Sequence, residues 1–496
     1  MEMKYLMAPA YLWDGTEEKV QTGIAFAVEN GRVIWKGSLA EGRRQMPDAE
    51  VIQKNWLVLP GFIDAHDHGR AVSPTGFGVP DRSLELWLQD LWRLPALNHR
   101  IATRFDGLQL ISSGVTTVLH SHNPNRWENL VPELVQAAGG YRQTGLRCIL
   151  CPPYLDQNKG IYAERARFLE SLPDDLREKF ADGIHDRVFT VEEYLEKIEE
   201  LTELLEPEIR EGWVEIQLHP NGGQWCSDEA LLKMKDYADA HHMRIHMHLL
   251  ETRYQQIYAQ KTWGCSFLRH YADIGFLGNN LSCAHMIWLT PEDEELLAKY
   301  HVIAVNNPSS NIRLRSGVFP LRELAEKNVP MALGLDGCAL DDDQDYLREL
   351  RIAYFNNAAC GIGAEVAPDE PLRMATGSGA GIADGRLSPG VIKVGEKADF
   401  IGISVEELRR PYADADADLL DLLLHRGTRK AVEAVYVQGQ KVYDAEKYEE
   451  RYRVAAAELT EEIRRLREET PIRPLPWKQE IIGEIGKFYR KWEDAK

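Results

Sequence analysis

No apolar run in this 496-residue chain approaches the roughly 20 residues that span a bilayer. The segment Met1 to Trp13 carries Glu2 and Lys4 and lacks the layout of a signal peptide. Cysteine is scarce. The seven residues are odd in number and scattered, which argues against a disulfide framework and fits a reduced, cytoplasmic protein. Cys148 and Cys151 have CxxC spacing, but they lie in the apolar stretch Leu146 to Cys151 without a second pair, so two buried thiols are expected rather than a zinc ribbon. Basic residues are outnumbered, 58 Lys and Arg against 78 Asp and Glu, for a formal charge of −20. That disfavours nucleic acid and anionic membrane surfaces as partners, but not a small molecule that meets only a local pocket. Gly377, Gly379 and Gly381 do not make GxGxxG, so no phosphate loop is assigned.

What is present is a composition of 44% hydrophobic and 27% charged residues, as in a globular protein large enough for two or three domains. Residues 1–57 read as short strands and turns, and the same texture returns at Lys397 to Ile403 and Ala434 to Tyr443. The two ends are expected to pair into one small β-sandwich domain, 1–57 with 385–445. Between them, at 58–384, eight apolar strand candidates alternate with helical stretches: Leu57 to His66, Val115 to His122, Leu146 to Cys151, Trp213 to His219, Met243 to His248, Leu281 to His285, Val302 to Asn306 and Met331 to Asp336. Eight β/α units predict a (β/α)8 TIM barrel, an α/β fold whose chemistry sits at the C-terminal rim. A charged insertion, Tyr154 to Gly212, would cover the rim or extend into solvent. The tail, 446–496, reads as a helical extension interrupted by Pro471, Pro474 and Pro476, peripheral or in a dimer contact.

The sequence Pro60-Gly61-Phe62-Ile63-Asp64-Ala65-His66-Asp67-His68 carries the strongest signal. Histidines at i and i+2 on a strand share a face and can share one cation. His248 and Glu251 follow the fifth strand with H-x-x-E spacing, His285 ends the sixth, and Asp336 ends the eighth. His66, His68, His248 and Asp336 form an N3O set that leaves a position for water, a catalytic arrangement for one divalent cation per chain, zinc first and iron(II) second. A carboxylate on the turn beyond a ligand strand, Glu251, can serve as general base.

With these pieces in hand, the chain resembles the amidohydrolase superfamily, in its cytosine/guanine deaminase and triazine hydrolase-like branch. The matching motifs are Pro60 to His68, His248-x-x-Glu251-Thr252, Ala284-His285, Asn307-Pro308-x-Ser310-Asn311, Leu333 to Gly337 and Val394 to Asp399, with a weaker match at Leu84 to Leu88. The resemblance implies that Glu251 moves a proton from the activated water to a ring nitrogen. It implies that His285 orients that water or stabilises charge at the attacked carbon, and that Asp336 passes a proton to the leaving group. It also implies a homodimer. The expected activity is deamination of an amino-substituted nitrogen heterocycle of purine, pyrimidine, pterin or triazine type. Hydrolysis of a cyclic amide or of a halo or alkylamino substituent is the alternative, and a non-catalytic scaffold a remoter one. Candidate substrate contacts are His122 and His219 at strand ends, Trp87 as a stacking ring, and Asn307 and Asn311.

Overall fold

The computed structural model describes residues 4–158, 160–162, 164–182, 189–337, 340–357, 367–383, 387, 389–472 and 475–494. Two four-stranded, all-parallel sheets hold the middle of the chain. One runs Val214–Ile216, Arg147–Cys151, Val115–Ser121, Phe62–Asp67; the other runs Ile245–Leu249, Leu281–His285, Ile303–Asn306, Met331–Leu333. At one seam Leu218 bridges Ile245, and the His246 N–H donates to Leu218 O at 2.9 Å. At the other, the Asp336 N–H donates to His66 O at 2.7 Å. All eight candidate strands are present, as near-continuous buried runs, because a parallel sheet is covered by helices on its outer face.

The first strand differs from expectation. Leu57 to His66 is two strands in different sheets, Glu50–Pro60 and Phe62–Asp67. Gly61 makes the crossing. A Cβ there would lie 2.3 Å from Thr116 Cγ2 and 2.4 Å from its Oγ1, so only glycine fits against the neighbouring strand.

Both chain ends contribute to one mixed sheet of eight strands, ordered Gln440–Asp444, Val432–Val437, Phe400–Ser404, Glu50–Pro60, Lys4–Leu12, Ile24–Glu29, Arg32–Ser38, with Gln21–Thr22 beside Lys4–Leu12. Phe26 and Phe400 sit three strands apart, about 14 Å along a flat sheet. Their rings nevertheless meet edge to face at 5.1 Å, so the single sheet curls over a shared core with Tyr5, Trp56 and Tyr436.

Arg147, at the base of a parallel strand, ties the two parts together. It is buried, ion-pairs with buried Asp399 through both Nη atoms, and donates from Nε to Gly212 O at 3.1 Å. The Gln438 N–H completes Asp399 at 2.7 Å.

Within the insertion, helix Val191–Leu204 is amphipathic and buries Val191, Tyr194, Ile198 and Leu201. It packs as the outer helix after the third parallel strand, with the Tyr194 hydroxyl donating to Pro152 O at 2.9 Å. The tail is less peripheral than its charge suggested. Helix Ala445–Glu469 lies on His99–Ser112, and helix Pro476–Asp494 buries Ile481, Ile485, Tyr489 and Trp492. Cys148 and Cys151 are buried free thiols, and burial pushes both up from the ordinary thiol range. Among the described residues no helix is long and apolar enough to cross a membrane. The expected domain boundary at 384/385, Pro474 and the N-terminal Met1 and Glu2 fall outside the described residues.

Candidate active site

His66, His68, His248, His285 and Asp336 converge where the parallel strands end. His66 is edge-on to His68 and His248, with ring centroids 5.1 and 4.7 Å away, and the rings of His68 and His248 face each other at 5.6 Å. His66, His68 and Asp336 offer ligand atoms within 4.8 Å of one another, as do His66, His248 and His285.

The hydrogen bonds behind the rings fix what each imidazole presents. His68 Nδ1 lies 2.7 Å from Ser121 O and His248 Nδ1 lies 2.6 Å from Asn221 O. A carbonyl only accepts, so both Nδ1 atoms carry the proton and both Nε2 atoms are bare lone pairs. For His66 a relay does the same. Ser282 Oγ donates to Ile245 O, His246 Nδ1 lies 2.8 Å from Ser282 Oγ, and His246 Nε2 lies 2.8 Å from His66 Nδ1. His66 Nε2 is then a buried acceptor with no partner. Three lone pairs and a carboxylate converge, with His68 Nε2 only 3.2 Å from Asp336 Oδ1. Such a set repels itself unless a cation lies between, so the residues fit a divalent metal ion. Burial pushes His66 and His248 well below the usual imidazole range, which keeps them neutral and able to ligate.

Asp336 is held from both sides. Ser310 Oγ donates to Oδ2 at 2.6 Å and the Gly337 N–H donates to Oδ1 at 2.5 Å. Burial would raise this carboxyl, but positive charge on the side of His68, His66 and His285, where a cation would lie, outweighs it and holds it well below the carboxylate range. Glu251 goes the opposite way. Burial first, then the charges of Asp336 and Glu85, push it well above that range. Its Oε2 lies 3.5 Å from His285 Nε2. Two carboxyls with opposed proton affinities, both beside His285 Nε2, can work as acid and base.

Four non-glycine residues at these strand ends have left-handed backbones: Leu250 (φ 52°), His285 (φ 79°), Met286 (φ 44°) and Asp336 (φ 62°). Each conformation costs about 1–3 kcal/mol and is the kind of strain that aims a side chain at a site. Gly334 admits the close approach of two strands. A Cβ there would lie 2.8 Å from both the N and O of His66 and 2.6 Å from Asn307 Oδ1. Backbone cannot yield as a flexible side chain can. Gly334→Ala should therefore displace His66 and weaken cation binding by about 10- to 100-fold, read by competition with a metallochromic chelator.

The expected substrate contacts separate into groups. Asn311 Oδ1 accepts from His285 Nδ1 at 2.9 Å, so this side chain holds His285 where contact with a heterocycle was expected, and the Asn307 amide packs 3.3 Å from the same atom. His285 thus presents Nε2 as an acceptor. His219 stands beside His248, ring centroids 5.4 Å apart, with Nδ1 donating to His246 O at 2.6 Å and Nε2 3.0 Å from Ser121 Oγ. His122 has both ring nitrogens engaged, Nδ1 with His120 and Nε2 with Glu133, which leaves none for a substrate. Trp87 packs with Val79, Leu84 and Leu314 under the Arg70 guanidinium at 5.3 Å, and its Nε1 is buried without a partner.

Glu85 carries no site signal in the sequence beyond its place in the weak match at Leu84 to Leu88. Its Oε1 accepts from Thr252 Oγ1 at 2.5 Å and from the Tyr162 hydroxyl at 3.0 Å, while Oε2 is buried without a partner. It lines a cavity of about 290 Å³ together with Asn221, Trp225, Phe180, Trp477 and Tyr489. The insertion and the C-terminal helix thus wall a cavity that Asn221, the partner of His248 Nδ1, and Glu85, the partner of Thr252, join to the site.

Asp67, between the two candidate ligands, shares the Gln344 amide with Asp106, 3.0 Å to each. Burial pushes Asp106 up to about 7, although hydrogen bonds from Gln344 and Tyr141 act to lower it. The folded protein holds a proton there that the unfolded chain releases near pH 4. Stability from this group is full below about pH 4 and lost as pH rises to about 7. Asp106→Asn, which cannot ionise, should gain thermal stability relative to the natural protein on going from about pH 4.5 to pH 8, measured as the difference in unfolding midpoint.

The chain is similar to several known proteins. A 5-methylthioadenosine/S-adenosylhomocysteine deaminase of Thermococcus sibiricus is 26% identical over 446 residues, 89% of this chain and 94% of that protein. A zinc-bound adenosine deaminase from Xanthomonas campestris shares the fold with a TM-score of 0.73 at 22% identity, covering 92% of this chain and 98% of that one. Guanine deaminase from E. coli does so with a TM-score of 0.67 at 20% identity, covering 89% and 99%. The model of the amidohydrolase family matches residues 57–442, a span that opens on the strands leading to His66 and His68 and closes in the mixed sheet. The chain belongs to the amidohydrolase family.

Proposed function

We propose that this protein is a metal-dependent aminohydrolase that replaces the exocyclic amine of a purine, as free base or nucleoside, with oxygen. The observation that carries this is the convergence of three imidazole lone pairs on Asp336, beside a buried, protonatable Glu251. The named activities of the relatives, 5-methylthioadenosine/S-adenosylhomocysteine and 5'-deoxyadenosine deamination, narrow the ring class to purine. The strands are read as one closed (β/α)8 barrel over 58–384, with a composite β-domain from 1–57 and 385–445 and a helical extension at 446–496.

His66, His68, His248 and Asp336 are assigned as ligands of one divalent cation, zinc in preference to iron(II). Such an ion, when bound, polarises a water molecule and brings its pKa towards neutrality. The remaining chemistry belongs to the chain's own side chains. His285 Nε2, an acceptor because Nδ1 donates to Asn311, orients the attacking water. Glu251 takes one water proton and delivers it to the ring nitrogen next to the attacked carbon. Asp336 holds the second proton at Oδ2, and the departing NH2 group leaves with it as ammonia. Water oxygen stays on carbon, so one amine and one water give one oxo group and one ammonia. His219 is assigned as a polar contact to the ring through Nε2, which exchanges the rotatable Ser121 hydroxyl for it, and Trp87 as a wall of the pocket. A homodimer and a cytoplasmic setting complete the reading; the first rests on the resemblance, the second on free thiols and acidic charge.

The test is ammonia release from adenine, guanine, adenosine and 5'-thio-substituted adenosines, with aminopyrimidines, pterins and aminotriazines as the other arms. Release confined to purines supports the reading. Release only from a chloro- or alkylamino-triazine, or opening of a cyclic amide, would replace it.

A further inference from the structure

A second cluster of ligating side chains lies behind His68, separate from the cation cluster and from the 290 Å³ cavity. His122, one residue past strand Val115–Ser121, is buried and brings Nε2 within 3.4 Å of Glu133 Oε2. His99, the first residue of helix His99–Ser112, brings Nε2 within 3.2 Å of the same oxygen. The two rings are 4.6 Å apart, and the three ligand atoms lie within 4.8 Å of one another.

Three observations set this cluster apart from a hydrogen-bonded ion pair. His99 Nε2 is buried and makes no hydrogen bond, although the carboxylate is close; the approach lies off the N–H direction. The spacing suits a shared ion, because ligands about 2.0–2.1 Å from a tetrahedral zinc are about 3.3 Å from each other. The third is the relay behind His122. The Tyr141 hydroxyl donates to Asp106, His120 Nδ1 lies 3.2 Å from that hydroxyl, and His120 Nε2 lies 3.0 Å from His122 Nδ1. With Tyr141 donating to Asp106, the relay can carry protons on His120 Nδ1 and His122 Nδ1, so that a cation can replace the proton that His122 Nε2 shares with Glu133 Oε2. Glu133 is itself fixed by the Asn125 N–H on Oε2 at 2.9 Å and the Arg126 N–H on Oε1 at 3.2 Å.

We propose that His99, His122 and Glu133 form a second divalent-cation site of the two-imidazole, one-carboxylate type, suited to zinc. The side chain of His99 is 13% exposed, so water can complete the coordination from that side. The role is positional. Ser121 and Asn123 flank His122; Ser121 O accepts from His68 Nδ1 at 2.7 Å, and the Asn123 side-chain amide packs against the same nitrogen. A cation on His122 fixes the segment that sets the orientation of His68.

The test is a metal count. The full-length protein is stripped, loaded with cobalt(II) or zinc, desalted and analysed for metal per chain alongside His99→Gln, Glu133→Gln and the double variant His66→Ala/His68→Ala. The expected result is two cations for the natural protein and one for each variant. The visible cobalt absorption of the second site should be missing in His99→Gln and retained in His66→Ala/His68→Ala. One cation in the natural protein, or two retained by His99→Gln, overturns the proposal. Should Glu133→Gln fail to fold, the partly exposed His99 still decides the matter, since its replacement leaves the Glu133 backbone contacts intact.

Discussion

Glu251→Gln is expected to lower turnover by about 10²- to 10⁴-fold while leaving the cation in place. The amide has the shape of the carboxyl but can neither take a proton from water nor give one to a ring nitrogen. Nothing in the ligand set depends on the lost charge: the Glu251 N–H donates to Gln255 Oε1, and His285 is held by Asn311 rather than by Glu251. Initial rates of ammonia release and elemental analysis on the same preparation separate the two effects. Turnover close to that of the natural protein would remove Glu251 from the mechanism. Loss of metal together with activity would make it a ligand instead.

Arg147→Met should cost about 3–5 kcal/mol of stability without touching the site, because it leaves the buried Asp399 without its cation. The pair links a parallel strand to the mixed sheet, and Arg147 also closes the backbone at Gly212. Removing both charges, in Arg147→Met/Asp399→Leu, should recover part of the loss. The recovery stays partial, because the Gln438 N–H then loses its acceptor. Urea unfolding of the two variants measures both numbers. A single variant within about 1 kcal/mol of the natural protein would mean that Asp399 is solvated after all.

Periodicity and local composition carried much of the fold. Eight apolar runs separated by helical stretches read directly as β/α units, since strands covered on their outer face are apolar throughout. The split at Gly61 was not legible, because nothing within one strand says which sheet it joins; the reason lies 55 residues away, in the Thr116 side chain. At the site, the HxH pair, H-x-x-E and strand-end Asp have spacings set by the strand itself, and the structure brings them together. Asn307 and Asn311 were noticed as polar, but which neighbour they serve depends on the short helix Pro308–Arg313 turning them onto His285. His99 and Glu133 carry no signature, being single polar residues on two different helices. The tail misled through its charge. Ile481, Ile482, Ile485, Tyr489 and Trp492 follow a helical period and marked one buried face.

The curled sheet also imposes an order in time. Strand Glu50–Pro60 receives its second neighbour, Phe400–Ser404, from about 340 residues further along the chain. At about 5–20 residues per second, a ribosome needs about 20–70 s to supply it. Throughout that interval the edge running through Trp56, Leu57, Val58 and Leu59 has strand Lys4–Leu12 on one side and nothing on the other. An apolar strand with an open edge is a template for pairing with other chains. The nascent protein must therefore be shielded for most of its synthesis, and fragments ending before residue 400 are the ones that should aggregate.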